Sequence, residues 1–182
     1  MARIFLSYRR EDSRGYTGWL SDRLRQHFGA ENLFRDVETI GLGVDFVEEI
    51  EKAVGSCDAL LAVIGQQWLN IKDDDGCRRI DDPDDFVRLE IETALGRKIR
   101  VIPILVDNAS MPRPTDLPEV LKPLARRNAL TVGDQFHRDI DRLIEALEDI
   151  LSVTSSPPES PPILKASTEP PPSPTASAWN SS

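Results

Sequence analysis

Short apolar runs alternate with amphipathic segments over residues 3–151, and this alternation constrains the fold more than any other feature. The run Ala59–Ile64 is the clearest strand, because it is apolar throughout and is bounded by Asp58 and Gly65. Residues 3–7 form a similar run, of the kind found in strands that are covered on both faces of a parallel sheet. We therefore predict an α/β protein with a parallel sheet and helices on both faces.

Three further strands are predicted at residues 32–34, 101–106 and 128–132, which gives five in all. Pro103 lacks a backbone donor and favours an edge position for its strand. Residues 8–15 are interpreted as a loop. The apolar positions of the helix that follows this loop are Trp19, Leu20, Leu24 and Phe28. Later amphipathic helices are predicted from Asp45, from Asp84 or Asp85, and over residues 136–151.

Composition limits the classes of function. The net charge of −9 argues against a general binder of nucleic acid, and no apolar run reaches membrane-spanning length. Cys57 and Cys77 are too few for a disulfide framework, and no signal peptide is recognisable, so we expect a soluble cytoplasmic protein. We predict one folded domain over residues 1–151. Residues 152–182 hold eight of the fourteen prolines and nine serines, which predicts a disordered tail or linker.

The predicted helix over residues 84–96 carries the strongest candidate for chemistry. One face is apolar, and Phe86 and Glu90 lie one turn apart on its flank, at the edge of the core. A carboxylate beside an aromatic ring suits the anionic group of a pocket, whereas an ordinary surface glutamate is the alternative. Glu92 lies about 200° further round the helix, so the two acids do not form a pair in one pocket.

Other motifs are weaker. Arg9 and Arg10 follow the first strand together with hydroxyl side chains, and at the carboxyl end of a parallel strand they could bind a diphosphate. Surface ion pairs explain the same arginines equally well. The sequence lacks a Walker loop, a complete dinucleotide fingerprint, a zinc-ligand spacing and a serine-hydrolase elbow, so we expect no metal and no resident cofactor.

Four motifs in order give the chain a family resemblance. FLSYRR at 5–10, LFRDVETIGLG at 33–43, the segment 59–68 and DDFVRLEIETAL at 84–95 resemble the successive motifs of a Toll/interleukin-receptor (TIR) domain of the bacterial kind. The resemblance implies a flavodoxin-like, three-layer fold with five parallel strands. It also implies that residues 36–44 form a loop used for self-assembly, with Ile40, Gly41 and Gly43 as its key positions.

The resemblance further implies a reaction. In members that cleave NAD, the catalytic glutamate follows a tryptophan by four residues, and here Phe86 and Glu90 occupy those positions. NAD would be the substrate. Its expected contacts are Tyr8, Arg9, Ser13, Asp36, Trp68 and Phe86. Nicotinamide leaves as a neutral molecule, so one carboxylate that stabilises positive charge on the ribose is sufficient.

We therefore predict a cytoplasmic NAD-cleaving TIR domain that is activated by self-assembly and acts in bacterial defence or signalling. Its product would be linear or cyclic ADP-ribose, and its partners NAD and other TIR domains, with neither nucleic acid nor membrane. The main alternative is a non-catalytic TIR adaptor that acts through TIR–TIR interactions. A more distant alternative is a nucleoside-processing transferase on a similar fold.

Overall fold

The computed structural model describes residues 3–35 and 44–154, and this part of the chain folds around a five-stranded parallel sheet. The strands are β1 (Ile4–Ser7), β2 (Leu33–Arg35), β3 (Ala59–Ile64), β4 (Arg100–Leu105) and β5 (Leu130–Thr131). Their order is β2-β1-β3-β4-β5, and all four pairings are parallel. The predicted five-stranded, flavodoxin-like sheet is therefore confirmed.

Helices cover both faces of the sheet. The α-helices are α1 (Arg10–Phe28), α2 (Phe46–Gly55), α3 (Phe86–Gly96) and α4 (Phe136–Thr154). Short 3-10 helices lie at Ala30–Asn32, Arg79–Asp81, Pro114–Asp116 and Glu119–Arg126. None of the helices in the described ranges is both long enough and apolar enough to cross a bilayer.

Two apolar cores result from the alternation of side chains along each strand. Phe5 and Leu60 point to one face, where α2 and α3 pack, together with Trp68. Leu6 and Leu61 point to the other face, where α1 and α4 pack. All six residues of β3 are buried, as expected for a central strand between two layers of helix.

Helix α1 begins at Arg10, six residues earlier in the sequence than predicted, since residues 10–15 are helical and do not form a loop. The reason is tertiary: the Asp12 carboxylate accepts hydrogen bonds from the backbone N–H groups of Gly65 and Gln67, both at 2.7 Å. The helix is irregular at Ser13, where φ is −134° and ψ is 17°. Of the apolar positions at helical spacing, Trp19 lies outside the core, because its side chain is 63% exposed.

Pro103 favours an edge position, but its strand is not an edge strand, since β4 lies between β3 and β5. Pro103 pairs with Ala62 of β3, but β5 pairs with β4 only at Ile104 and Leu105. Over the described residues, β4 therefore has a strand on only one side at the level of Pro103. A missing backbone donor is tolerated at such a position.

The order in which strands are added to the sheet reverses at β1, because β2 lies on one side of β1 and β3 lies on the other. In open α/β sheets this switch point opens a crevice beyond the carboxyl ends of the two strands. Arg9 follows β1, and Gly65 and Trp68 follow β3, so these residues lie at that end of the sheet. The first turn of α3 reaches the same region, through contacts described next.

Candidate functional site

Helix α3 owes its position and length to local capping signals. Asp85 is its N-cap and accepts a hydrogen bond from the Arg88 N–H at 3.0 Å. The helix ends at Gly96, as predicted. Its buried positions are Val87, Glu90, Ile91 and Ala94. A glutamate thus stands among three apolar residues on the face that packs on the sheet.

Glu90 and Glu92 occupy opposite environments on this helix. Glu90 is only 3% exposed, whereas the side chain of Glu92 is 41% exposed and lies 3.7 Å from Arg88 Nε. The interpretation of Glu90 as an ordinary surface glutamate is therefore wrong. Keeping a carboxylate at a buried position has a cost in desolvation, and functional sites are where such positions concentrate.

An aromatic pair lies one turn before Glu90. Phe86 is the first residue of α3 and is 44% exposed, which is unusual for so large an apolar side chain. Its ring contacts that of Phe46, the first residue of α2, with centroids 5.1 Å apart and planes tilted by 55°. Sequence reasoning did not select Phe46 as a site residue. Its place at the start of the helix predicted from Asp45 was the available signal.

Arg9 lies inside the protein, with only 2% of its surface exposed. Its Nη1 and Nη2 atoms donate to the two carboxylate oxygens of Asp85, at 2.9 and 2.7 Å, and its Nε donates to the Trp68 carbonyl at 3.1 Å. The structure thus gives Arg9 an internal carboxylate partner in place of the expected diphosphate. A direct role of Arg9 in substrate binding stays a prediction.

Three other predicted contacts are distributed around Arg9. Trp68 is 1% exposed and packs in the core, with the Arg9 guanidinium carbon 5.8 Å from its ring centroid. It therefore supports the site from within and is not an open wall. Ser13 is buried, and its hydroxyl donates to the Arg9 carbonyl at 3.3 Å. Tyr8 packs against the core of the opposite face, so the sheet separates it from α3.

Asp12 is a residue of this region that sequence reasoning did not single out. Its two hydrogen bonds, to the N–H groups of Gly65 and Gln67, hold the start of the loop that carries Trp68. An acidic residue in the first turn of a helix, together with a glycine directly after a buried strand, was the signal that could have suggested this contact.

The remaining predicted residues cannot be placed. Asp36 and the assembly positions Ile40, Gly41 and Gly43 lie outside the residues that the structure describes. Phe46 begins α2 two residues after the described chain resumes at Val44, so the aromatic pair borders that segment in sequence.

The described arrangement has a definite chemical capacity. A buried carboxylate, withdrawn from bulk water, can stabilise a positive charge more strongly than one in water. One turn away, the exposed ring of Phe86 and the partly buried ring of Phe46 offer flat apolar faces to a planar heterocycle. The combination suits a substrate with an aromatic ring next to a carbon atom that becomes cationic during the reaction.

Comparisons with known proteins agree with this fold. A family model described as TIR domain matches residues 4–144. No curated protein matches the chain. The TIR domains in a structure of the activated Roq1 resistosome, which directly recognises the pathogen effector XopQ, share 15% identity with this chain at a TM-score of 0.58. That similarity covers 81% of this chain and 99% of the other.

A second solved structure is the TIR domain of the Toll-related receptor TRR-2 from the lower metazoan Hydra magnipapillata. It shares 15% identity at a TM-score of 0.54, and the match covers 81% of this chain and 99% of the receptor domain. At this level of identity, both structures support the fold and carry no information on the reaction.

Proposed function

The chain belongs to the TIR domain family, and from that premise we propose that it is an enzyme that cleaves NAD between nicotinamide and ribose. The observation that carries this proposal is the burial of Glu90 one turn from the exposed ring of Phe86. Glu90 is the proposed catalytic residue. The family also includes non-catalytic adaptors, and a buried carboxylate one turn from an exposed aromatic ring is a feature that an adaptor does not need.

In the proposed reaction, the bond between the ribose C1′ and the nicotinamide nitrogen breaks, and its electron pair returns to the pyridinium ring. Nicotinamide leaves as a neutral molecule, and positive charge develops on the ribose. The Glu90 carboxylate stabilises this charge electrostatically. Attack by water on C1′ then gives linear ADP-ribose and a proton, whereas attack by a nitrogen of the adenine gives a cyclic product.

Phe86 and Phe46 are the proposed walls for the nicotinamide ring. Their rings are already in contact at 5.1 Å, so little side-chain freedom is lost when a planar ring packs against them. Phe86 takes the place of the tryptophan of the family motif, and a phenyl ring supplies the same kind of apolar face. Trp68 and Arg9 support the site from behind.

Self-assembly and a cytoplasmic location complete the proposal. The solved TIR domains of an activated resistosome share this fold, which supports TIR–TIR contacts as a mode of activation. The motif resemblance supports residues 36–44 as the contact segment and a role in bacterial defence or signalling. A partner that helps to complete the site makes activity per molecule rise with protein concentration.

The test compares two glutamates of one helix. Glu90→Gln keeps the shape and hydrogen-bonding capacity of the side chain but removes its charge, and a loss of about 10²–10³ in the rate of NAD cleavage is expected. Glu92→Gln makes the same chemical change at a half-exposed position and should cost no more than about threefold, in line with its weak surface pair with Arg88. Nicotinamide release is measured for both variants at one concentration at which the wild type is active.

A dilution series of the wild type accompanies this comparison. Circular dichroism and thermal melting establish that both variants are folded. Equal losses in the two variants, or an active Glu90→Gln protein, would remove Glu90 from the mechanism. If the wild type releases no nicotinamide even at high concentration, the adaptor function replaces the enzymatic one.

A further inference from the structure

The Arg9–Asp85 ion pair joins the end of β1, an inner strand of the sheet, to the helix that carries Glu90. Arg9 directly follows β1 and its guanidinium meets both oxygens of Asp85, at 2.9 and 2.7 Å. Asp85 directly precedes Phe86 and caps α3. Both side chains of the pair are 1% exposed. A rigid strand and a helical N-terminus are therefore held together by a buried contact.

We propose that this pair is a positioning device, which sets the first turn of α3 and thereby the placement of Phe86 and Glu90. The proposal rests on the proposed NAD cleavage. In this proposal, Asp85 positions α3, and Arg9 acts through Asp85 without contacting the substrate.

The geometry of the contact supports this role. A guanidinium that binds a carboxylate through two parallel hydrogen bonds fixes both distance and orientation, which a single bond does not. The Arg9 fork is itself fixed, because Nε donates to the Trp68 carbonyl and the guanidinium lies over the Trp68 ring. On the other side, the same Asp85 carboxylate accepts from the Arg88 N–H of α3. The carboxylate therefore cannot rotate without breaking bonds to β1 or to the helix.

The energetics favour a geometric role over a purely stabilising one. Burying two charges has a desolvation cost that their attraction often only offsets, so a buried pair is weak evidence of stability. What such a pair does supply is one defined arrangement of the elements that it joins. A third charged side chain, Arg79, lies on the solvent side of the pair. Its Nε is 3.4 Å from Asp85 and its Nη1 is 3.4 Å from Glu11.

The pair also lies close to the proposed chemistry along the chain. Asp85 is adjacent to Phe86 and just over one helical turn before Glu90, so a rotation of the first turn moves both residues together. Because misplacing a catalytic group by about 1 Å can cost about 10² in rate, the pair can matter for the reaction without touching NAD.

The test uses Arg9→Lys, Asp85→Asn and the double variant. Lysine keeps the charge but loses the fork, and asparagine keeps an oxygen for the cap but loses the charge. We expect each single variant to lower kcat by about 10²-fold while KM stays within about threefold. The double variant should be no slower than the slower single variant, because both changes remove the same unit. Asp116→Asn, which removes the charge from an exposed pair with Arg113, is the control and should leave kcat unchanged.

Amide hydrogen exchange supplies a readout that does not depend on activity. In Arg9→Lys and Asp85→Asn, the amides of the first turn of α3 should exchange about tenfold faster than in the wild type, while those of β3 stay unchanged. Asp116→Asn should change neither.

The outcomes separate the possibilities. A raised KM with unchanged kcat in Arg9→Lys would mean that Arg9 contacts the substrate, and multiplied losses in the double variant would mean independent roles. Either result, or unchanged exchange in α3, would overturn the positioning role. If the wild type releases no nicotinamide, the proposed function fails and the catalytic part of this inference fails with it. The exchange rates would still decide whether the pair fixes α3.

Discussion

The carboxylate of Asp12 lies so close to Gly65 that a side chain at position 65 would have no room. A Cβ atom at this position would lie 2.5 Å from Asp12 Oδ2 and 2.6 Å from Oδ1. The carboxylate can move away only by releasing the N–H groups of Gly65 and Gln67. We therefore expect Gly65→Ala to lower the free energy of unfolding by about 1–3 kcal/mol, as overpacking does elsewhere.

The matched control is Gly15→Ala in α1. A Cβ at Gly15 would meet no atom within 4 Å, so alanine should stabilise the helix by about 0.5–1 kcal/mol. Urea denaturation of the two variants checks both signs. Equal behaviour of the two alanines would mean that Asp12 does not hold the loop after β3.

Cys57 gives the protein a defined response to alkaline pH. Burial raises the pKa of its thiol from 9.0 to about 11, the neighbouring Asp58 adding to the effect of burial and the Ser56 hydrogen bond opposing it. Because the pKa is higher in the folded state, the thiol stabilises the fold fully below about pH 9, and this contribution is lost as the pH rises through about 11. Two pKa units correspond to about 2.7 kcal/mol.

The measurement compares the wild type with Cys57→Ala by urea denaturation between pH 8 and pH 11, a range chosen to span both pKa values. The wild type should lose more stability over this range than the variant, in which the thiol is absent. Iodoacetamide at the lower pH should label the exposed Cys77 and spare Cys57 until the protein is unfolded. An identical pH dependence in the two proteins would contradict the raised pKa.

At the scale of secondary-structure elements, the removal of Arg9 should destabilise the fold most, because its ion pair with Asp85 joins the end of β1 to the start of α3. Arg9→Met leaves the Asp85 carboxylate buried without its main partner and should cost about 3–5 kcal/mol in the free energy of unfolding. Arg113→Met breaks a pair of similar geometry, at 2.9 Å, on the surface and should leave stability unchanged. Denaturation curves of the two methionine variants decide this, and a small effect of Arg9→Met would mean that Arg79 or solvent replaces its charge.

The predictions that succeeded were based on sequence signals that lie within a few residues of the feature that they predict. Strand β3 could be located because its apolar run is bounded by Asp58 and Gly65. The start of α3 could be placed because Asp85 caps the helix from its own chain neighbourhood. Glu90 could be assigned to the edge of the core from helical spacing, although at 3% exposure it is more deeply buried than spacing implies.

The predictions that failed concerned residues whose partners are distant in sequence. Helix α1 begins at Arg10 because Asp12 binds a loop 53 residues away, which no local pattern reveals. Arg9 points inward because it pairs with a carboxylate 76 residues away, so its sequence neighbours Tyr8 and Arg10 gave no guide to its orientation. Pro103 is tolerated within an inner strand because β5 pairs with only part of β4, which also depends on a segment distant in sequence.

For the molecule as a whole, the site depends on connectivity. The reversal between β1 and β3 brings Arg9 and Trp68 together, and Asp85 then attaches α3 to the same place. The catalytic candidate, its aromatic neighbour and their support thus come from segments that meet only when the sheet has formed. Loss of activity and loss of global structure should therefore coincide in thermal unfolding.

The boundary of the folded domain gives the last prediction. Helix α4 extends to Thr154, and Leu151 is 7% exposed in the core formed with α1. Residues 155–182 lie outside the described residues, and their composition favours a tail that adds no stability.

A chain that ends at Leu151 should therefore melt within about 2 °C of the full chain. A chain that ends at Ile150 loses one buried leucine, worth about 1.5–3 kcal/mol, and should melt about 4–8 °C lower. Calorimetry of these two chains, which differ by one residue, measures the boundary directly. A large drop in the melting temperature of the chain that ends at Leu151 would show that residues 152–182 pack on the domain.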